Sequence, residues 1–171
     1  MSGRRAADPR LRLLLVRHAD AGDPGAWLGP DAERPLSDKG VKQAARLAAA
    51  LLAAKCSVDE ILTSPARRCG ETAAILAEAL GIEGHADARL ADGPTLEALR
   101  TMVGDRTSSL ALVGHEPHLS ALAQELTGIA ALPFEKGAVI RIDIARSLER
   151  GSGSLAWIAP PSLFRAPKSE R

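Results

Sequence analysis

Aromatic residues are almost missing from this chain, which has no tyrosine, two phenylalanines and two tryptophans. A core poor in rings has to be built mostly from Leu, Ile, Val and Ala. Cysteine is equally scarce. Cys56 and Cys69 form neither a CxxC pair nor any zinc spacing, so they read as reduced core residues of a cytosolic protein. Charge of one sign is lacking too: the net charge is +1, which gives no reason to expect nucleic acid or a membrane as the main partner. No apolar run approaches the ~20 residues of a spanning helix. Arg4, Arg5 and Arg10 precede only the short run Leu13 to Val16, with no cleavage site after it. These absences together predict a soluble, cytoplasmic chain.

The remainder is ordinary for a globular protein, with 46% apolar and 25% charged residues in 171. That length suits one domain, expected over residues 11–160, with loose termini at 1–10 and 162–171. Leu13-Leu14-Leu15-Val16 reads as a buried strand that ends abruptly in Arg17-His18-Ala19-Asp20. A Gly/Pro/Asp-rich loop, Gly22 to Arg34, follows and is long enough to rim a pocket. Ser37 reads as the N-cap of a helix whose inner face is Val41, Ala44, Leu47 or Ala48, and Leu51. Glu60 to Thr63 is a second strand. Ser64-Pro65 reads as an N-cap followed by proline at the first helical position, opening a helix that Gly81 stops. After an irregular stretch with room for a short strand, Thr95 opens a helix with Leu96, Leu99 and Met102 or Val103 inward. Ser109 to Val113 repeats the opening pattern and ends in Gly114-His115. Glu116-Pro117 leads into a helix closed by Gly128, and alternation from Ala138 to Ile144 and again from Leu155 predicts an antiparallel hairpin.

Two strands therefore end in histidine, and a third runs into a helix that carries Arg68 in its first turn. Basic residues there oppose the helix dipole, a cost that makes sense if Arg68 is held for an anion. Ligands of open α/β sheets sit beyond the carboxyl ends of the strands, so Arg17, His18, Arg68 and His115 are expected to converge. Two guanidiniums and two imidazoles suit a doubly charged phosphoryl group, with one histidine attacking phosphorus and the arginines stabilising its oxygens. Other chemistries lack their residues. His115-Glu116-Pro117-His118 has Leu119 where a zinc HExxH helix needs its second histidine. Neither cysteine has the arginine spacing of a cysteine phosphatase, and no strand ends in paired aspartates. No metal and no cofactor is expected. His118 reads as a helix-surface or pocket-rim residue and His85 as exposed.

The motifs Leu15-Val16-Arg17-His18-Ala19, Arg34-Pro35-Leu36-Ser37, Ser64-Pro65-Ala66-Arg67-Arg68 with Thr72, and Val113-Gly114-His115 resemble those of the histidine phosphatase superfamily, in its small SixA-type phosphohistidine phosphatase branch. The resemblance runs from about residue 11 to 158. It implies a phosphoglycerate mutase-like three-layer α/β/α sandwich, with a mostly parallel central sheet and an antiparallel C-terminal edge. It also implies His18 as the nucleophile that becomes phosphorylated, Arg17, Arg68 and His115 as the phosphoryl-binding groups, and metal-independent hydrolysis. The chain departs from the larger members in two places. Alanine follows the nucleophile where glycine is commoner, and Ala88 to Gly93 holds no glutamate where those members carry their general acid. Asp20 and Asp92 stand in as candidates for that acid. The expected partner is a phosphorylated protein or a small phosphorylated metabolite. Phosphohistidine hydrolysis is the leading expectation; a phosphomonoesterase, a mutase and a non-catalytic phosphate-binding module are the alternatives.

Overall fold

The computed structural model describes residues 11–103, 108–145 and 147–164. Six strands form one sheet: β1 (Leu11–Arg17), β2 (Glu60–Thr63), β3 (Gly84–Ala86), β4 (Ser108–Gly114), β5 (Val139–Ile144) and β6 (Gly153–Ala159). Their order is β3-β2-β4-β1-β5-β6. The first four run parallel; β5 adds antiparallel to β1, and β6 closes the edge antiparallel to β5. Parallel neighbours need crossovers, and helices α1 (Asp38–Ala53), α2 (Arg67–Leu80), α3 (Leu96–Val103) and α4 (His118–Thr127) provide cover for both faces.

Alternation along β1 explains the layering. Leu11, Leu13 and Leu15 pack with Leu99, Leu119 and Leu122 of α3 and α4. Leu14 and Val16 face the other way, onto Leu47, Leu51, Cys69 and Leu76 of α1 and α2. A strand buried on both faces must read as a continuous apolar run, which is how Leu13 to Val16 reads. The result is the α/β/α sandwich expected from the sequence, with the hairpin at its edge.

Three local expectations needed correction. Val41 is 46% exposed, and Gly40 takes the inward position at the start of α1. A Cβ on Gly40 would lie 1.9 Å from the Asp20 carbonyl oxygen, so only glycine lets the helix press on the loop that follows His18. Ser64 does not cap α2. That helix begins at Arg67 with Ala66 at its N-cap position and no side-chain cap bond, because the Ser64 hydroxyl is engaged elsewhere. At the other end, Pro161–Phe164 is a short 3-10 turn, with Phe164 packed against the core under α1 and α2, where a loose tail was expected. The expected leader, residues 1–10, and residues 165–171 lie outside the described residues.

The approach of Gly40 to the Asp20 backbone is testable. Gly40→Ala should lower stability by about 1–3 kcal/mol through overpacking. Gly70→Ala in α2, where an added Cβ meets nothing within 4 Å, should be neutral or stabilising by up to about 1 kcal/mol. Thermal melts showing equal effects at the two glycines would contradict this packing.

Candidate active site

Strand register brings the functional side chains to one level. Arg17 pairs with Gly114 across β1 and β4, and Thr63 pairs with Val113 across β2 and β4. One step on, His18 donates its backbone N–H to the Gly114 carbonyl at 3.0 Å, and Ser64 donates to the Val113 carbonyl at 2.9 Å. His18, Ser64 and His115 thus emerge side by side at the carboxyl edge of the sheet. They line a cavity of about 500 Å³ together with Arg17, Arg68 and Asp31.

His18 is 6% exposed. Its Nδ1 lies 2.7 Å from the Ala19 carbonyl oxygen, which can only accept, so Nδ1 carries the proton and Nε2 keeps its lone pair. Burial, reinforced by the charges of Arg68, His115 and Arg17 against the pull of the Ala19 carbonyl, lowers its pKa to about 4. The imidazole is therefore neutral and nucleophilic at pH 7. Ala19 is fully buried, and its N–H donates to Thr72 Oγ1 at 3.1 Å. The same hydroxyl donates to the Arg68 carbonyl at 2.7 Å, so Thr72 couples the His18 turn to the first turn of α2.

Arg68 donates from Nη1 to the Asp31 carbonyl at 2.7 Å, pairs through Nη2 with the Asp31 carboxylate at 2.9 Å, and approaches His115 Nδ1 at 3.4 Å. Arg17 donates to the Phe134 carbonyl at 2.7 Å. Each guanidinium also holds a buried Nε–H without a hydrogen-bond partner. An unpaired buried donor costs about 1–3 kcal/mol, and an oxyanion in the cavity offers acceptors to both side chains. His115 faces His18 edge-on, with ring centroids 5.3 Å apart, and its Nε2 lies 2.9 Å from Ser64 Oγ. Burial, then the charges of Arg68, His118 and Arg17 against that of Asp31, lowers its pKa to about 4 as well. Beneath it sits Cys69, whose Sγ lies 3.4 Å from Nε2 and whose thiol burial pushes up to about 12. That thiol is no nucleophile near neutrality.

Neither candidate acid reaches the cavity. The Asp20 carboxylate accepts from Ser37 Oγ at 2.7 Å and from the Gly22 N–H at 3.3 Å, with Lys136 Nζ at 3.5 Å. The Ser37 hydrogen bond above all holds it below the usual carboxylate range. Asp20 thereby ties the loop to the start of α1 and stays ionised. Asp92 lines a separate cavity of about 820 Å³, beyond His118, because Leu90 anchors the preceding turn in the core and the chain turns outward after it.

The acidic groups that do line the phosphoryl-side cavity are Asp31, Glu33 and Glu116. Asp31 is held by Arg34 at 2.9 Å and by Arg68, and its pKa is lowered mainly by the Arg34 hydrogen bond. Glu116 is bound to the backbone and hydroxyl of Ser120. His118 separates the two cavities, against Gly93 at φ +99°, where a Cβ would lie 2.4 Å from the imidazole. Sequence reasoning overlooked Asp31 and the use of Ser64. The one available signal was Asp31 standing a turn before Arg34. His85 is exposed on β3, as expected.

Comparison with known proteins agrees with this geometry. A family model described as the histidine phosphatase superfamily (branch 1) matches residues 13–94. An uncharacterized protein of Mycobacterium tuberculosis is 35% identical over 122 residues, covering 67% of this chain and 72% of that protein. Phosphohistidine phosphatase SixA of Escherichia coli (strain K12) is 22% identical over 166 residues, 93% and 99% of the two chains. Among solved structures, the protein histidine phosphatase SixA complexed with tungstate superposes with a TM-score of 0.79 at 21% identity, over 90% of this chain and 99% of that one. A mycobacterial glucosyl-3-phosphoglycerate phosphatase with VO3 gives 0.67 at 19% identity, over 85% and 97%. These structural likenesses show a shared fold. The chain belongs to the histidine phosphatase superfamily.

Neutral burial of both imidazoles has a measurable sign. Their folded pKa values of about 4 lie below the ordinary 6.5, so the unfolded chain binds protons first as pH falls. The contribution is fully present above pH 6.5 and is lost progressively down to about pH 4. Urea midpoints should fall across that window, and less steeply in His18→Asn than in the unaltered protein. The same slope in both would contradict a buried neutral His18.

Proposed function

We propose that this member of the histidine phosphatase superfamily hydrolyses phosphohistidine carried on a protein, through a transient phosphate on His18. One observation carries the reading: a neutral imidazole with its Nε2 lone pair available lines the same cavity as the Arg17 and Arg68 guanidiniums, each held at one nitrogen by a backbone carbonyl. His18 Nε2 attacks phosphorus and the bond from phosphorus to the substrate's leaving atom breaks. Arg17, Arg68 and His115 stabilise the equatorial oxygens as charge redistributes. The hydrogen bond from Nδ1 to the Ala19 carbonyl supports the positive charge that the His18 ring gains when Nε2 is phosphorylated. Water then attacks phosphorus, the P–Nε2 bond breaks, and its electron pair returns to His18 as phosphate leaves.

The leaving group favours phosphohistidine. An alkoxide needs a strong proton donor, whereas imidazole, whose conjugate acid has a pKa of about 6.5, takes its proton from solvent or a weak acid. The cavity's carboxylates Asp31 and Glu116 are committed to neighbours, and the expected acids Asp20 and Asp92 lie outside it. That leaves Glu33 and His118 as lining groups whose side chains have no hydrogen-bond partner among the described residues. Two fixed guanidiniums supply the positive charge that a metal provides in other phosphatases.

The test compares kcat/KM on phosphohistidine, an aryl phosphate and an alkyl phosphate, with chelator present throughout. Phosphohistidine should lead and the alkyl phosphate trail. Arg68→Ala should cost on the order of 10²-fold, and Asp92→Asn should change little. An alkyl phosphate turned over best would replace this reading with a small-metabolite phosphatase, and transfer to a second hydroxyl with it a mutase. Phosphate binding without turnover of any of the three would leave a binding module. Loss of activity in chelator, restored by a divalent ion, would contradict the metal-free mechanism.

A further inference from the structure

We propose that His118 is the base that takes the proton from water when the phosphate on His18 is hydrolysed. This rests on the phosphatase reading above and assigns a residue to its second half-reaction. His118 opens α4 and lines the phosphoryl cavity with Arg17, His18 and His115. It is half-buried, and its ring packs against Gly93, where a Cβ would lie 2.4 Å from Nδ1. Packing fixes the ring, and neither of its nitrogens has a hydrogen-bond partner among the described residues. Its charge acts on His115, so it stands close to the phosphoryl-binding end of the cavity.

The other titratable groups on the cavity are committed or loose. His18 carries the phosphate at this stage. His115 has Ser64 Oγ 2.9 Å from Nε2 and Arg68 Nη2 3.4 Å from Nδ1. Asp31 holds Arg34 and Arg68, and Glu116 holds Ser120. Glu33 is exposed at the end of a short 3-10 turn, Asp31–Glu33, with no contact to fix its carboxylate. A catalytic base has to be held within reach of the proton it removes. Position favours His118 as well. Water attacks phosphorus in line with the P–Nε2 bond, from the side facing away from His18. His18 is 6% exposed and forms the floor, whereas His118 is shared with the larger cavity of about 820 Å³. Imidazole accepts and releases a proton near neutral pH. In the step, the water oxygen bonds to phosphorus, one of its protons passes to His118, and the P–Nε2 electron pair returns to His18. Phosphate leaves with the new hydroxyl, and His118 gives its proton to solvent in the larger cavity.

Rapid-quench kinetics on a nitrophenyl phosphate separate the two half-reactions, because nitrophenolate departs without a proton donor. His118→Asn and His118→Gln should each show a stoichiometric burst of nitrophenol at close to the unaltered rate. Steady turnover should then be about 10²-fold slower than in the unaltered protein, the low end of an acid–base contribution, with phosphoenzyme accumulating. The full burst reports a folded, phosphorylatable site, so the slow phase reads the second step alone. Imidazole added to His118→Ala should restore turnover with inorganic phosphate as the product, which a merely structural role would not allow. Glu33→Gln should behave as the unaltered protein. Unslowed turnover in the His118 variants, loss of their burst, a slow phase that imidazole does not relieve, or a slow phase in Glu33→Gln instead overturns the assignment. Absence of phosphoenzyme in the unaltered protein overturns the His18 intermediate, and the base with it.

Discussion

The backbone N–H of His18 donates to the Gly114 carbonyl one step past the end of the β1–β4 ladder. Everything in the site depends on that pairing continuing in register. It sets His18 beside His115, and the parallel pairing of β2 with β4 sets Ser64 within 2.9 Å of the same imidazole. A one-residue slip in a sheet reverses the face of every side chain. Here it would move Leu13 and Leu14 onto the wrong helix layers and the imidazoles out of line. The same apolar alternation that stabilises the core therefore enforces the geometry of the site.

The helices complete the site through the backbone on either side of His18. Thr72 joins the Ala19 N–H to the Arg68 carbonyl, and Gly40 and Ser37 clamp the Asp20 carbonyl. Held on both sides, His18 sits in a field dominated by fixed positive charge. Burial above all, with that field adding to it, keeps both imidazoles neutral, and the field also favours a phosphoryl dianion. Asp31 is the counterion that the fold supplies for Arg68. An incoming phosphoryl group competes with that carboxylate for the same guanidinium.

What could be read from sequence was what local periodicity and strand ends encode. The apolar runs of β1 and β4, the histidines that end them, Ser37 capping α1 and Gly81 ending α2 all carry short-range signals, and they lie where those signals put them. The family motifs added Thr72 beside Arg68, which the helix start after β2 already placed at the pocket. The features that escaped depend on contacts between distant segments. Ser64 before proline has the local signature of an N-cap, and only the arrival of His115, 51 residues on, gives its hydroxyl another partner. Asp20 looked free to act as an acid because Ser37 and Lys136 reach it through the fold. Val41 fits the apolar stripe of α1, yet the close approach of Asp20 requires Gly40 on that side and turns Val41 to solvent.

The central claim is that His18 attacks through Nε2 because Nδ1 is occupied by the Ala19 carbonyl. Two-dimensional phosphorus–proton NMR of the denatured, trapped phosphoenzyme distinguishes the two phosphohistidine isomers directly. Phosphate on Nε2 of His18 is the result this account predicts. Phosphate on Nδ1, or on His115 or His118, would contradict it.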